Sequence, residues 1–292
     1  MPELPEVETV RRGLAKLVVG RRVVGVDVLN QGSFPQAAEL LVGSQFVGAS
    51  RRAKLLMLEV DGERRLVVHL KMTGQLVVRG VDDWGGGHPS DSLIGALPDR
   101  STRVIIYLDD GSTLYFNDQR KFGWMRLMSA LEADALTADY GPEPMDADAW
   151  PRFAVLARRH DRAVVKAVLL NQLVVAGIGN IYADEALWAA RVHPASRVGA
   201  LSDKTLHNLL EAAAEVMTAS IELGGSTARN YVDAEGRRGA YLDFAEVFRR
   251  QGQPCRRCGT IIIKTRVAGR GTHLCPKCQR LRRSMRSSSL GA

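Results

Sequence analysis

The spacing of apolar residues predicts a leading helix followed by a β-rich region. Apolar residues recur at helical spacing from Val7 to Val18 and Gly20 follows as a stop, which predicts an amphipathic helix over residues 5–18. Between Val23 and about Leu127, short β-branched runs alternate with turn signals, a pattern typical of an antiparallel sandwich or barrel. The predicted strands are Val23–Val28, Gln45–Ser50, Leu55–Val60, Leu66–Leu70, Gln75–Arg79, Val104–Leu108 and Thr113–Phe116.

A glycine-rich stretch, Gly80–Arg100, interrupts the predicted strands. It contains Trp84 followed by Gly85-Gly86-Gly87, and it is long for a connection within a compact domain. We therefore expect a mobile loop.

From about Ala130 the apolar period becomes helical again. A glycine-punctuated turn ends at Asn180, which is expected to cap the next helix. Such a turn offers backbone N–H groups and a positive helix end to a phosphate, although an asparagine N-cap is also common without any ligand. A polar loop, Gly224–Gly239, is expected to be functional or disordered. The predicted helices are Leu156–Arg159, Val164–Leu173, Ile181–Arg191 and Leu201–Leu223.

The C-terminal region carries a metal-ligand pattern. The only cysteines form two CxxC pairs with sixteen residues between them: Cys255, Cys258, Cys275 and Cys278. This spacing predicts one tetrahedral structural Zn²⁺, and disulfides are the alternative, which a cytosolic chain disfavours. Residues 261–264 and 272–274 are predicted to form a hairpin with its tip at Val267–Gly271, which places Arg270 within reach of a nucleic-acid backbone.

The charge distribution favours a polyanionic partner. The 292 residues carry a formal charge of +8, and no acidic residue follows Glu246. The chain past Arg280 is basic and serine-rich and is expected to be disordered. Since there is no apolar run of about eighteen residues and no signal-peptide pattern, we expect a cytoplasmic protein without a membrane association.

The first residues carry candidate chemistry. Removal of Met1, which the small Pro2 favours, would leave a secondary amine at the chain start. An α-amine titrates near ~7.7–8.0 and lysine near ~10.4, so the α-amine is the better nucleophile at neutral pH. Glu3 and Glu6 are three residues apart, and a helix beginning near Pro5 would place both carboxylates beside that amine. The same residues also suit an ordinary helix start.

Motifs of one known family occur in order along nearly the whole chain. They are PELPEVE at Pro2, HLKMTG at His69, NDQRKFG at Asn117, QLVVAGIGNIYADE at Gln172, GGST at Gly224 and CPKCQR at Cys275. In these motifs the chain resembles the formamidopyrimidine-DNA glycosylases, base-excision enzymes that remove oxidised purines and nick the strand. The resemblance implies DNA glycosylase and AP lyase activity on damaged double-stranded DNA.

The resemblance also implies roles for particular residues. Pro2 would attack C1′ of the damaged nucleotide, Glu3 would handle protons, and a Schiff base would undergo β- and δ-elimination. The loop ending at Tyr241 would cap the everted base. Glu6 and Glu185 would be supporting carboxylates. The void left by the everted nucleotide would be filled by Met72, Arg120 and Phe122. The phosphates would be bound by Lys54, His69, Asn180 and Arg270, of which Lys54 and Arg270 also count as catalytic. Considered singly, Met72 and Phe122 would also suit a protein core.

Several positions depart from the family pattern, and they affect lesion preference more than catalysis. They are Lys71, Ser101, Arg103, Gln119, Lys121 and the run Val247–Arg250. One alternative is an endonuclease VIII-like enzyme for oxidised pyrimidines, although Leu4 and Met72 favour the purine branch. Another is a zinc-ribbon DNA-binding protein without catalytic activity.

The expected fold is α+β and multi-domain, in a monomer. It comprises an N-terminal catalytic β-sandwich with a leading helix, a helical helix–two-turn–helix domain with a lesion-recognition loop, a four-cysteine zinc-finger hairpin and a basic tail. The predicted boundaries are 1–130, 131–248, 249–280 and 281–292.

Overall fold

The structure, a computed structural model, describes residues 2–225 and 241–281. The chain forms two compact units. The first comprises Met1–Asp139 with Ala219–Asp243, and the second comprises Tyr140–Thr218 with Phe244–Ala292. The predicted lesion-recognition loop runs from Ser226 to Tyr241 and the predicted tail from 281 to 292; residues 226–240 and 282–292 lie outside the described residues. The four-part domain division stays a prediction.

The first unit begins with helix α1, Leu4–Leu17. Pro5 suits its first turn, because a proline lacks an N–H group that would have no helical partner there. The apolar stripe of Val7, Val10 and Leu14 is buried in the core of the unit. The predicted helix is confirmed, with bounds shifted by one residue.

Two antiparallel sheets complete the first unit. One sheet has five strands in the order β1-β7-β8-β5-β6, and the other has four in the order β2-β3-β4-β9. Alternate residues of both sheets point into one core that also receives the stripe of α1, which confirms the predicted antiparallel sandwich. The strands are β1 Val23–Val28, β2 Phe46–Arg52, β3 Leu55–Val60, β4 Arg64–His69, β5 Gly74–Arg79, β6 Trp84–Gly87, β7 Thr102–Leu108, β8 Thr113–Asp118 and β9 Trp124–Ser129.

The expectation of a mobile loop over Gly80–Arg100 is wrong at residues 84–87, which form β6 and pair with β5. Trp84 is 2% exposed because its indole packs on α1. A Cβ at Gly13 would lie 2.2 Å from that ring, and one at Gly86 would lie 2.8 Å from it. The glycines therefore serve close packing of an aromatic ring, whereas in the sequence they resemble turn signals.

The remaining helices and a C-terminal β-hairpin follow the two sheets in the chain. Helix α5 begins at Asn180 and its N-cap is Gly179, so the prediction of Asn180 as the N-cap is wrong by one position. In the part of the chain that the structure describes, no helix is both long enough and apolar enough to cross a bilayer. The remaining elements are α2 Ala130–Ala135, α3 Ala149–Arg158, α4 Val165–Leu170, α5 Asn180–Ala189, α6 Asp203–Glu222, α7 Tyr241–Phe244, β10 Ile263–Val267 and β11 Arg270–Leu274.

Candidate active site

The start of α1 holds two buried carboxylates. Glu3 is the N-cap residue and is 3% exposed, and Glu6 accepts the backbone N–H of Glu3 at 2.8 Å. The N–H of Glu6 in turn donates to the Glu3 side chain, which completes a capping box. Pro2, directly before this box, is buried as well. The chain start therefore has a fixed direction, with two candidate acids within one helical turn of it.

Gly225 lies beside Glu6, at the point where residues 226–240 begin. Its φ of +87° is in the left-handed region, and a Cβ there would lie 3.4 Å from Oε1 of Glu6. The carbonyl of Gly225 accepts the N–H of Tyr241 at 3.3 Å, and its N–H donates to the Ser220 carbonyl at 2.7 Å. Gly225 and Tyr241, the described residues on either side of 226–240, are thus bonded to each other beside Glu6.

Lys54 occupies the two-residue turn between β2 and β3, after Ala53 with a φ of +52°. Glu8 supports this turn through Arg51, whose Nε lies 3.2 Å from Glu8 Oε2 and whose Nη1 donates to the Ala53 carbonyl at 3.2 Å. Burial alone would raise the pKa of Glu8, but the arginines bonded to it outweigh burial and lower the pKa to about 2. The turn that carries Lys54 is therefore anchored to α1 by an ionised carboxylate.

His69, at the end of β4, is a neutral imidazole at physiological pH. Burial, followed by the positive charges of Lys71 and Lys54, lowers its pKa to about 3. Its Nδ1 accepts the backbone N–H of Lys71 at 3.0 Å, so the ring proton lies on Nε2. A neutral ring with Nε2–H can donate one hydrogen bond to a phosphate oxygen without contributing a charge.

The three predicted void-filling residues lie on two turns of the first unit. Met72, in the turn between β4 and β5, is 38% exposed, and Phe122, in the turn between β8 and β9, is 53% exposed. The guanidinium carbon of Arg120 lies 4.7 Å from the centroid of the Phe122 ring. The exposure of Met72 and Phe122 excludes the alternative that they are core residues.

In the second unit, a buried ion pair ties α5 to the C-terminal hairpin. Lys166 is 0% exposed and its Nζ donates to Asp184 Oδ1 at 2.6 Å and to Thr272 Oγ1 at 2.8 Å. The other oxygen of Asp184 accepts the backbone N–H of His273 at 2.8 Å. The hairpin supplies a partner to Lys166 Nζ and to Asp184 Oδ2, so strand β11 is fixed to α5.

Asn180 bonds to strand β11, and Arg270 is the first residue of that strand. Asn180 Nδ2 donates to the carbonyl of Gly271 at 3.0 Å. Arg270 begins β11 and pairs with Val267, because the hairpin tip is only the two residues 268 and 269, both with positive φ. The predicted five-residue tip is therefore too long, and Arg270 lies on a rigid strand.

Glu185, also on α5, accepts backbone N–H groups from Glu246, Val247 and Phe248 at 2.8, 2.9 and 2.7 Å. Burial raises its pKa, and these three donors oppose the rise. Within its own unit Glu185 therefore orders the segment that leads into the hairpin.

The four cysteines lie at the base of the hairpin with their Sγ atoms within 4.8 Å of one another. The Cys255–Cys278 and Cys258–Cys275 Sγ separations are 4.0 and 3.5 Å. Zn–S bonds of ~2.3 Å in a tetrahedron require sulfur separations of roughly 3.8 Å, so the donor set fits Zn²⁺.

Sequence reasoning missed several residues that organise these sites. Asp118 bonds both turns that carry the void-filling residues, through Thr73 on one and through Arg120 and Gly123 on the other. It lies inside the NDQRKFG motif, so the sequence indicated its position but not its role. Lys166 is an isolated lysine in an apolar helix, and this pattern could have indicated a buried ion pair. The predicted site residues are divided between the two units. The first unit contains Pro2, Glu3, Glu6, Lys54, His69, Met72, Arg120, Phe122 and Tyr241, and the second contains Asn180, Glu185, Arg270 and the cysteines.

Comparison with known proteins finds a matching family model for three segments of the chain. Residues 1–125 match the formamidopyrimidine-DNA glycosylase N-terminal domain, 140–232 the formamidopyrimidine-DNA glycosylase H2TH domain, and 252–281 the zinc finger found in FPG and IleRS. The formamidopyrimidine-DNA glycosylase of Roseiflexus sp. (strain RS-1) is 44% identical over 290 residues, covering 96% of this chain and 100% of that protein.

Solved structures of a Lactococcus lactis relative show the same fold. Its wild-type Fpg bound to DNA containing N7-benzyl-Fapy-dG is 33% identical with a TM-score of 0.81, covering 96% of this chain and 100% of that chain. The same enzyme bound to DNA containing an oxidised pyrimidine gives the same identity, TM-score and coverage. The zinc-finger match and the four-cysteine geometry together confirm one structural Zn²⁺. The chain therefore belongs to the formamidopyrimidine-DNA glycosylase family, DNA-repair enzymes with glycosylase and AP lyase activity.

Proposed function

We propose that this enzyme binds double-stranded DNA, excises oxidised purines such as 8-oxoguanine and formamidopyrimidines, and then cleaves the abasic strand on both sides of the sugar. The name shared by its relatives supports the lesion class, as does the Lactococcus lactis complex with a formamidopyrimidine nucleotide. The target carbon is unreachable inside stacked duplex, so the damaged nucleotide must be everted.

Pro2 is the proposed nucleophile once Met1 is removed. Its secondary amine attacks C1′, the bond from C1′ to the base breaks with its electron pair going to the base, and the proton that the proline nitrogen loses is transferred to the departing base. The bond from C1′ to the ring oxygen then opens, and Glu3 supplies the proton that this oxygen takes up. The product is an iminium, or Schiff base, between C1′ and the proline nitrogen.

The iminium makes the two strand cleavages possible because it stabilises the carbanions they require. Loss of a proton from C2′ expels the 3′ phosphate oxygen by β-elimination. Loss of a proton from C4′ then expels the 5′ phosphate oxygen by δ-elimination. Glu3 is the proposed proton carrier, and Glu6 and Glu185 are proposed as supporting carboxylates.

The observation that carries the proposal is the capping box at the chain start. A buried Pro2 precedes Glu3 and Glu6, whose hydrogen bond of 2.8 Å fixes the direction of the main chain. A nucleophile and an acid held in one geometry need no ordering at the moment of reaction, which favours catalysis.

The proposed DNA contacts divide into two kinds. Lys54, His69, Asn180 and Arg270 would bind phosphates, while Met72, Arg120 and Phe122 would fill the gap left by the everted nucleotide. The loop from Ser226 to Tyr241 would cover the everted base. The four cysteines hold the Zn²⁺, and the metal supplies structural stability to the hairpin that carries Arg270. A monomer in the cytoplasm stays a prediction.

Borohydride trapping on a duplex with a single abasic site tests the mechanism. We expect a covalent protein–DNA adduct with the wild-type enzyme and a strongly reduced yield with Pro2→Gly, whose primary α-amine lacks the ring that fixes the proline nitrogen, while Lys16→Ala, a substitution elsewhere on α1, retains the adduct. An adduct of normal yield in Pro2→Gly would refute the proposed nucleophile.

A second candidate is excision of oxidised pyrimidines. It is favoured by the relative bound to DNA containing an oxidised pyrimidine. Excision rates on 8-oxoguanine:C and thymine-glycol:A duplexes separate the two. A higher rate on the first supports the purine assignment, and a higher rate on the second replaces it.

A further inference from the structure

Asp118 connects the two turns that carry the void-filling residues. It ends β8 and is 0% exposed. One carboxylate oxygen, Oδ1, accepts the hydroxyl of Thr73, next to Met72, and also the backbone N–H of Arg120 at 3.1 Å. The other oxygen, Oδ2, accepts the N–H of Gly123 at 2.6 Å. A single buried side chain therefore bonds the turn at residues 70–73 and the turn at residues 119–123.

The surroundings of Asp118 make this connection tight. The hydroxyl of Thr73 also accepts the N–H of Arg120 at 3.1 Å, which closes a three-membered hydrogen-bond network. A Cβ at Gly123 would lie 3.1 Å from Asp118 Oδ2 and 2.9 Å from the Phe116 ring, so the second turn lies directly against the carboxylate. Neither turn can shift without breaking a buried hydrogen bond.

The charge of Asp118 is satisfied by hydrogen-bond donors. Among the described residues it forms no salt bridge, and its oxygens are bonded to one hydroxyl and two N–H groups. Its backbone is fixed by Arg103, which is 8% exposed and whose Nε donates to the Asp118 carbonyl at 2.7 Å.

We propose that Asp118 is a positioning residue that makes the Met72 turn and the Arg120–Phe122 turn a single rigid probe of the DNA. The proposal rests on the proposed function, in which these residues replace the everted nucleotide. With the carboxylate in place, Met72 cannot enter the gap unless Arg120 reaches the orphaned base at the same time. Eversion of the damaged nucleotide is thereby coupled to the identity of the base opposite.

The test compares Asp118→Asn with Asp110→Asn in the full-length enzyme. Asparagine keeps an acceptor for Thr73 and Arg120 but presents its amide NH₂ group, a donor, to the N–H of Gly123. Asp110 is the matched control, since it accepts the N–H and hydroxyl of Ser112 at 3.0 and 2.6 Å in the turn at the other end of β8. Three readouts are measured: excision of 8-oxoguanine opposite C and opposite A, borohydride trapping on an abasic duplex, and amide hydrogen exchange of the two turns.

In Asp118→Asn we expect the rate of 8-oxoguanine excision opposite C to fall about tenfold. The C-over-A preference, which is the ratio of the excision rates opposite C and opposite A, should fall towards one. Trapping on the abasic site should stay within about twofold, because no base has to be everted there. Hydrogen exchange should accelerate in both turns together, and Asp110→Asn should match the wild type in all three readouts.

Faster exchange in only one turn, or in neither, overturns the proposal regardless of activity. An unchanged C-over-A preference, or equal losses of excision and trapping, also overturns it. If the wild-type enzyme itself gives neither excision nor trapping, the proposed function fails, while the exchange data still decide whether Asp118 couples the turns.

Discussion

At the scale of single residues, the proposed phosphate contacts differ in charge. Lys54 and Arg270 contribute cations, whereas His69 is neutral because its pKa is lowered to about 3. Each phosphate neutralised by a cation releases counterions and steepens the dependence of affinity on salt, but a neutral hydrogen bond does not.

We therefore expect Lys54→Gln and His69→Gln to weaken DNA binding in different ways. Lys54→Gln should reduce the slope of log affinity against log salt by about 1, and His69→Gln should leave the slope unchanged. Fluorescence anisotropy of a labelled duplex at several salt concentrations measures both slopes. A clear decrease of the slope in His69→Gln would show that the imidazole binds DNA as a cation.

The same pKa predicts how stability depends on pH. Below the unfolded value of about 6.5 the unfolded chain takes up a proton that folded His69 does not, so stability falls as the pH decreases from about 6.5 towards 3. Between pH 7.5 and 5, the free energy of unfolding should therefore decrease by about 1 kcal/mol less in His69→Gln than in the wild type, a figure that allows for partial exposure of the ring. Urea unfolding at the two pH values, with the exposed His160→Gln as control, measures this difference. Equal pH sensitivity in wild type and His69→Gln would contradict it.

At the scale of elements, the contact of α1 with β6 depends on glycine. A Cβ at Gly13 would lie 2.2 Å from the Trp84 ring, so either the helix or the ring must move. This contact holds α1, whose first turn follows directly after the candidate nucleophile and its neighbour Glu3.

Gly13→Ala should therefore lower the free energy of unfolding by about 2–3 kcal/mol, although alanine is the better helix former. In a Trp84→Leu background the same substitution should cost less than about 0.5 kcal/mol, because the clashing ring is gone. Urea unfolding of the four variants gives the coupling. Equal costs in both backgrounds would mean that Trp84 is not what excludes a side chain at position 13.

The zinc hairpin is a second element with its own support. Two strands are marginally stable alone, so the metal and the Lys166–Asp184 pair must hold the hairpin in place. Its apolar cluster includes Trp188 and Val247, whereas the sandwich core is a separate cluster of the first unit.

Chelation of zinc, or Cys258→Ser, should weaken DNA binding about tenfold or more while the sandwich stays folded. Anisotropy reports binding and tryptophan fluorescence during thermal unfolding reports folding, with re-addition of Zn²⁺ as the control for the chelator. Simultaneous loss of binding and of the sandwich transition would show that the finger is not an independent element.

At the scale of the whole molecule, periodic patterns predicted α1, seven of the strands and the α+β class, since each depends on local spacing. The strand Trp84–Gly87 was missed because its glycines serve tertiary packing on α1, which no local signal records. The strand Trp124–Ser129 was missed although Met125 and Leu127 alternate with exposed Arg126. Motif order indicated the candidate nucleophile, but the network around Asp118 joins residues 45 positions apart and becomes visible only in the fold.

The proposed mechanism requires that the amine of Pro2, exposed by removal of Met1, forms the bond to the sugar. The most direct measurement is borohydride trapping on an abasic duplex followed by proteolysis and mass spectrometry of the adduct. We expect a cross-linked peptide that begins at Pro2, with the sugar remnant on its terminal nitrogen. A remnant on a lysine, or Met1 still attached in fully active enzyme, would contradict it.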